Sequence, residues 1–438
     1  MKRISTVINK WSIGLDVLRA PNFRRYYFGQ SLSNFGDMLV PLALAFAVLD
    51  LTGSVAALGM VMLASRVPII VFTLIGGAIG DSLPRRKVML VADAVRLVAH
   101  GATGALLLMG DARLWHLIVL QVLAGSAAAF FDPAASGLVR NLVEPSEIRK
   151  ANSLLTLTRN GITIIALAAS GAIIAILGPG WAFVVNSITF LASITVLLRM
   201  DLPDGDRVWI RTDFLRQVHE GLSYVRHSGW LSVTIVYTSL LNTLVIAPMM
   251  ILGPAVSKSS LGGAAVWAAV LIASTSGSLV GSALSLKIHP RRPLSTAIGV
   301  VFAAIPLALT LAFVAPLWLI LPAAVLFGMQ SSFSTILISS LIQQNIAEGT
   351  LSRVMSVHQL GARSLTPLGF ALVGVAAARW GTADVLLACA AWTFVSTSFV
   401  VALPRIRTVE FAVAPDDTGA LSVESNPASN GATAVAAR

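Results

Sequence analysis

Long apolar stretches alternate with short polar breaks from about residue 27 to about residue 403. Each stretch is close to the roughly 20 apolar residues that a helix needs to cross a bilayer's hydrocarbon core. A backbone in that core must satisfy its polar groups internally, as a helix does. We therefore predict an all-α membrane protein whose twelve spans cover 27–50, 55–80, 88–109, 114–136, 155–177, 181–199, 231–254, 264–286, 294–314, 317–340, 357–378 and 383–403.

Basic residues gather at every second break. Of the 31 Lys and Arg residues, 24 lie in one set of alternate breaks, 3 lie in the other set and 4 lie inside apolar stretches. Cytoplasmic loops retain positive charge because Lys and Arg are costly to translocate. This distribution predicts a multi-pass membrane protein with both termini in the cytoplasm.

Composition excludes several classes of function. Hydrophobic residues make up 56% of the chain and charged residues 12%, which is too apolar for a soluble domain. The net charge of +11 falls in loops beside anionic lipid, so we expect no nucleic-acid partner. The single cysteine, Cys389, excludes an internal disulfide, and no metal or redox motif occurs. No lysine follows a glycine, as a phosphate-binding loop would require, so direct ATP hydrolysis is disfavoured. We expect a protein that is not an enzyme and that holds no cofactor.

The breaks divide the chain into five segments. They are a cytoplasmic N-terminal segment 1–26, a six-helix half 27–199, a cytoplasmic central loop 200–230, a second six-helix half 231–403 and a polar tail 404–438. In the central loop Phe214, Val218, Leu222 and Val225 have helical spacing. They predict an amphipathic helix that lies either on the membrane surface or against the bundle. The tail composition is typical of disorder.

The two halves share short fragments, which favours an internally repeated architecture of six plus six helices. The matching residues are Pro84, Arg85 and Arg86 with Pro290, Arg291 and Arg292, then Arg149 with Arg353, and Arg159 with Arg363.

The loop after the second span reads GGAIGDSLPRRKVML. It resembles the signature loop of the major facilitator superfamily, although Ser82 and Pro84 depart from the usual residues. The fragments LSNFGD, DLTGS, ADAVR, FFDPA and ANSL are similar to the exporter branch that includes macrolide efflux pumps, the enterobactin exporter and actinobacterial multidrug efflux proteins. The fifth span lacks the Gly-Pro motif that exporters commonly carry.

The resemblance implies a charge network at the cytoplasmic ends of the helices. Its candidate members are Gly77, Asp81, Arg85, Arg86, Asp93 and Arg96. Asp93 and Arg96 are three residues apart on one helix, so their side chains can pair directly. The alternative is a loop whose charges only set the topology.

Charges inside apolar spans are costly and tend to face a cavity or each other. Asp37 lies midway along the first span, where a carboxylate suits the uptake and release of protons. The alternative is a permanent ion pair with a cation such as Arg66 or Arg363, which we take as further proton-coupling candidates. Asp132 and Arg159, nearer the cytoplasmic face, are gating or structural candidates.

The uncharged polar residues of the spans are few. Candidates to line a substrate cavity are Asn34, Gln121, Asn160, Asn242, Gln330 and Gln359. Such a cavity suits a large, mostly apolar solute. We predict a monomeric secondary transporter that exports a small amphipathic organic molecule, such as an antibiotic, drug or siderophore, in exchange for protons. Proton-coupled uptake and a non-transporting scaffold or sensor are the alternatives.

Overall fold

The computed structural model describes residues 15–80, 84–200 and 214–409. Within these ranges the chain is helical and contains no β-strand. Twelve of the described helices are long and apolar enough to span a membrane, as the apolar pattern predicts.

We number the spans α1–α12 in chain order. They are α1 Pro21–Thr52, α2 Val55–Gly80, α3 Arg85–Met109, α4 Leu114–Leu142, α5 Ile148–Leu177, α6 Pro179–Leu198, α7 Gly229–Leu261, α8 Ala264–Ser285, α9 Pro293–Ala312, α10 Leu317–Asn345, α11 Glu348–Trp380 with a break at Leu365, and α12 Thr382–Ala402. Every predicted span corresponds to one of these helices.

The helices of the second half contain irregular turns beside prolines. In α7, π-helical turns occupy Asn242–Ile246 and Ser257–Leu261. Pro248 has no N–H to donate to the Leu244 carbonyl one turn earlier. The Cys389 thiol of α12 donates to that carbonyl instead, at 3.1 Å. In α9, a 3₁₀ turn covers Val300–Ala304 and precedes Pro306.

The first six helices pack mainly against one another, as do the last six. In the first group α1 packs on α5 and α6, α2 on α4, and α3 on α4 and α6. In the second group α8 packs on α10 and α9 on α12. Contacts between the groups run from α2 to α11 and from α5 to α8.

The turns at the two ends of the bundle differ. We call the end that carries Arg85, Arg86, Arg199 and Arg353 the basic end, and the other the far end. All positive-φ residues of the described chain lie in far-end turns: Gly53, Gly110, Gly178, Gly262, Gly263, Val314 and Gly381. Glycine adopts this left-handed conformation without a Cβ clash, which lets a helix stop and reverse abruptly. Gly178, at φ 88° and ψ 165°, and Gly381, at φ 89° and ψ 158°, make the same turn in the two halves.

The predicted amphipathic helix spans Phe214–His227 and is called the linker helix here. It packs against the first part of α11, where Gly221 approaches the Arg353 backbone. Val225 is buried, whereas Leu222 is exposed. The packing on the bundle supports the second of the two interpretations offered by the sequence.

The first residues of the predicted polar tail are ordered. Pro404–Arg407 forms a short helix, and Ile406 is buried against the second half. The tail from residue 410, the first 14 residues and residues 201–213 of the central loop lie outside the described residues.

Candidate functional site

The two halves meet closely near the far end. A Cβ on Gly59 of α2 would collide with the Phe370 carbonyl of α11, and one on Gly374 would collide with Ala56. On the other side of the bundle, Gly171 of α5 lies against Ala268 of α8. Small residues thus let both pairs of helices approach to backbone contact. The seam between the halves is closed at this end.

An ion pair joins the halves at the same end. Lys258, in the last turn of α7, lies 2.5 Å from the carboxylate of Asp50 near the end of α1. Both side chains are partly exposed. The pair therefore ties the first half to the second at the surface of the closed end.

Toward the basic end the seam opens. Asn160 lies three helical turns from Gly171 on the same face of α5, yet it is exposed. Gly161 has no atom within 4 Å of where a Cβ would stand. On α11, Gln359 and Arg363 are exposed as well. The described part of the bundle therefore forms a vestibule that is open at the basic end and closed at the far end.

A small apolar cavity of about 120 Å³ lies between the halves where the vestibule closes. Its lining is Pro41, Leu42, Ala45, Met62, Ile246, Met249, Met250, Pro254, Trp267, Val270, Leu271, Ser274, Leu307 and Phe327. No charged residue contributes to this lining. Unbranched methionine side chains adapt to varied apolar shapes, so the cavity fits apolar groups of different form.

A buried charge cluster lies within the first half. Arg96 of α3 pairs with Asp93 on its own helix at 2.5 Å and with Asp37 of α1 at 3.3 Å. The Ser193 hydroxyl of α6 donates a hydrogen bond of 2.7 Å to Asp93. One cation therefore serves two carboxylates on neighbouring helices.

Aromatic rings enclose the cation of this cluster. The guanidinium carbon of Arg96 lies 4.2 Å from the ring centre of Phe131 and 4.4 Å from that of Phe190. Cation–π attraction is stronger when water is excluded, as it is here. The rings hold Arg96 in place between α4 and α6 while its donors point toward the carboxylates.

The two carboxylates differ in their access to water. The side chain of Asp93 is 0% exposed, whereas that of Asp37 is 32% exposed. Asp37 also lies within the electrostatic range of Asp132 and Arg159. Asp93 is thus sealed from water beside Arg96, and Asp37 is the carboxylate of the cluster that water can reach.

The structure corrects one expectation and confirms another. Asp93 and Arg96 pair as their spacing predicts. The cation beside Asp37, however, is Arg96, and the ion pairs of the described chain do not join Asp37 to Arg66 or Arg363. The sequence did not reveal this partner because Asp37 and Arg96 are 59 residues apart and are brought together only because α1 and α3 both pack against α6.

The signature-loop residues lie at the basic end. Arg85 donates to the Gly137 carbonyl of α4 at 2.5 Å, and Arg86 donates to the Leu198 carbonyl of α6 at 2.7 Å. Arginines that bind carbonyls at the C-terminal end of a helix stabilise it. Gly77 lies in the last turn of α2, and Asp81 lies outside the described residues.

The six polar cavity candidates have different surroundings, and none lines the apolar cavity. Gln121 and Gln330 are buried, while Asn34 is half-buried and Asn160 and Gln359 are exposed. Asn242 donates to the Thr238 and Ala362 carbonyls and so ties α7 to α11. The cavity is instead lined almost entirely by apolar residues, and nothing in the sequence distinguishes these from residues of the core.

Comparison with known proteins defines the family. A family profile described as "Transmembrane secretion effector" matches residues 13–426. The chain belongs to this family of major facilitator transporters. As a transmembrane secretion effector, it is a multi-pass membrane protein that acts on small molecules, and it is not an enzyme.

Two named relatives align with this chain over most of its length. It is 27% identical to the multidrug efflux pump Tap of Mycolicibacterium fortuitum over 89% of this chain and 97% of that protein. It is 24% identical to macrolide efflux protein A of Streptococcus pyogenes over 82% of this chain and 90% of that protein.

Solved structures share the fold of this transmembrane secretion effector. The nucleoside transporter NupG matches with a TM-score of 0.73 at 10% identity, over 87% of this chain and 98% of the other. A bacterial homologue of the iron transporter ferroportin, in its inward-facing state, matches with a TM-score of 0.70 at 17% identity, over 87% and 99% of the two chains.

Proposed function

We propose that this protein exports a small amphipathic organic molecule in exchange for protons, and that it works as a monomer in the bacterial plasma membrane. The relatives named as multidrug and macrolide efflux proteins support the direction and the substrate class. The observation that carries the proton coupling is the partly exposed Asp37 carboxylate, which shares Arg96 with the buried Asp93.

The orientation follows from the charge of the two ends. The basic end carries the loops rich in Lys and Arg, so it belongs in the cytoplasm together with both termini. The vestibule then opens to the cytoplasm and the Asp50–Lys258 pair lies on the outer side. In this orientation the structure corresponds to an inward-facing transporter that is ready to take up an exported substrate.

The proton exchange involves two states of Asp37. When Asp37 is ionised, its attraction to Arg96 joins α1 to α3 and leaves the three-residue cluster with one net negative charge. When Asp37 is protonated, that attraction weakens, while Asp93 stays paired with Arg96. Rocking of the two halves about the apolar cavity would expose Asp37 to one side of the membrane and then to the other.

The first test measures efflux from cells that express the protein. A panel of dyes, macrolides, tetracyclines and siderophores is assayed with and without a protonophore. We expect lower accumulation of at least one compound in expressing cells and loss of that effect with the protonophore. The replacement Asp37→Asn is expected to reduce efflux at least about tenfold. Asparagine cannot take up and release a proton, so the proposed exchange loses its titrating group.

The matched control is Asp384→Asn, since Asp384 is an exposed carboxylate at the far end of α12. It should leave efflux unchanged at equal membrane abundance. Normal efflux by Asp37→Asn would contradict the assigned role of Asp37. Higher accumulation in expressing cells would instead establish uptake, and an unchanged accumulation of every compound would favour a scaffold or sensor.

A further inference from the structure

Two arginines face each other across the seam, one from each half. Arg66 lies seven residues beyond Gly59 on α2, and Arg363 lies seven residues before Phe370 on α11. Gly59 and Phe370 are in contact, and α2 and α11 run in opposite directions. Seven residues are about two helical turns, and Leu365 at the break in α11 keeps a right-handed helical backbone with φ −89° and ψ −11°. Both arginines therefore lie about 10 Å below that contact, toward the basic end, on the facing sides of their helices.

The position of Arg66 relative to the apolar cavity is fixed by the same helix. Met62, which lines the cavity, precedes Arg66 by four residues and therefore shares its face of α2. Arg66 thus lies one turn below the cavity, at the inner end of the vestibule. Its side chain and that of Arg363 are exposed there.

Neither arginine has an acidic partner within the described chain. The ion pairs and hydrogen bonds of these residues leave both guanidinium groups unengaged, in contrast to Arg96, which has two carboxylates. Each of the two guanidinium groups is repelled by the other. Two uncompensated cations deep in a membrane protein are unfavourable, and an anion between them would relieve the repulsion.

We infer that Arg66 and Arg363 bind the carboxylate of an amphipathic organic anion whose apolar part enters the cavity above them. The planar guanidinium groups match the two oxygens of a carboxylate and can each donate two hydrogen bonds. The uncharged cavity of about 120 Å³, lined in part by Met62, Met249 and Trp267, then receives the end of the hydrocarbon part, while the rest lies in the vestibule. This inference rests on the proposed function for its use of the vestibule as a substrate path, and it narrows the substrate class to acids.

Equilibrium binding tests the inference without any proton gradient. The full chain, purified in nanodiscs of zwitterionic lipid, is titrated with the fluorescent acid 11-(dansylamino)undecanoic acid and with its methyl ester. The ester lacks the anionic charge and carries one additional methyl group. We expect the acid to bind at least about tenfold more tightly, which is the effect of one charge-assisted hydrogen bond or more.

Variants test whether the two arginines cause the difference in affinity between the acid and the ester. The double replacement Arg66→Gln and Arg363→Gln should weaken binding of the acid about tenfold and leave binding of the ester unchanged, which also shows that the cavity is intact. Arg66→Lys retains the charge and should keep most of the affinity for the acid. Arg379→Gln, which removes an exposed arginine at the far end of α11, is the matched control and should behave as the wild type.

Three results would overturn the inference. The first is equal binding, or no binding, of acid and ester by the wild type. The second is unchanged binding of the acid by the double variant. The third is displacement of the acid when phosphatidylglycerol is added to the nanodiscs, because the arginines would then hold a lipid headgroup. An exporter of cationic drugs would fail this binding test and still pass the efflux test, so the two proposals fail separately.

Discussion

The two halves of this transporter share a helical frame but differ in what they bury. In the first half, Arg96 and Asp93 of α3 form an ion pair inside the bundle. The shared fragments at Pro84 and Pro290 place Gly299 and Phe302 of α9 at the corresponding positions of the second half. Neither residue carries a charge, and a buried side-chain contact elsewhere in the second half is the neutral hydrogen bond of 2.7 Å between Tyr237 of α7 and Thr397 of α12.

The buried charges lie in the first half, whereas the apolar cavity belongs mainly to the second. Most of its lining comes from α7, α8, α9 and α10 of the second half, including Met249, Met250 and Trp267. The comparison shows that two halves with the same helical arrangement can bury different kinds of side chain. The first half holds the buried charge cluster of Asp37, Asp93 and Arg96, and the second half supplies most of the apolar cavity lining.

The largest expected effect comes from removing the cation of the first half. Arg96→Met leaves two carboxylates without a counter-charge, and loss of one partner from a buried ion pair costs about 3–5 kcal/mol of stability. We expect a strong drop in membrane abundance and in the midpoint of thermal unfolding in detergent. Phe302→Met, the matched change in the second half, keeps the volume and should cost less than about 1.5 kcal/mol. Equal losses would remove the distinction between the halves.

The shared frame predicts similar effects in both halves at close helix contacts. A Cβ on Gly277 of α8 would collide with the Val325 backbone, and one on Gly125 of α4 would collide with the Ser65 carbonyl. Overpacking of this kind costs about 1–3 kcal/mol, so Gly277→Ala and Gly125→Ala should both lower thermal stability.

Gly299→Ala is the control for these two variants, because no atom lies within 4 Å of its Cβ position. It should be neutral or slightly stabilising, since alanine favours a helix over glycine. A destabilised Gly299→Ala, or a tolerated Gly277→Ala, would contradict the packing described for α8 and α10.

The loss of a single buried hydrogen bond should destabilise the protein more in the first half than in the second. Ser193→Ala removes a donor to the buried carboxylate of Asp93, and a bond to a charged group contributes about 1.5–3 kcal/mol. Tyr237→Phe removes a bond between neutral hydroxyl groups and should cost about 1 kcal/mol. Unfolding midpoints of the two variants provide the check, and the comparison fails if Tyr237→Phe is the more damaging.

The smallest effect is expected at the ion pair that joins the halves. Asp50→Asn removes a partly exposed pair, which contributes at most about 1 kcal/mol, or about a fivefold change in the population of the open far end. The readout is the rate at which a membrane-impermeant thiol reagent modifies Ala264→Cys, a buried seam position. The charge exchange Asp50→Lys with Lys258→Asp should restore the slow rate. An unchanged rate in Asp50→Asn would show that small-residue packing alone keeps this end closed.

Much of the fold could be predicted because its signals are local. A run of about 20 apolar residues specifies a span by itself, and basic residues such as Arg85 and Arg353 mark an end of the bundle without knowledge of any contact. The i,i+3 pairing of Asp93 with Arg96 is local in the same sense. The Asp37–Arg96 contact is not local, and the spacing of the two residues along the chain carries no signal for it.

The sequence by itself determined the number of spans, their alternation and the presence of charges inside them, because insertion into lipid acts on each helix separately. Only the tertiary structure decided which charges meet. It placed Arg96 beside Asp37, left Arg66 facing Arg363, and closed the far end through small residues on α2, α5, α8 and α11. These outcomes depend on how the helices rotate and pack against one another, and side-chain partners across a bundle are fixed by that packing rather than by hydrophobicity along the chain.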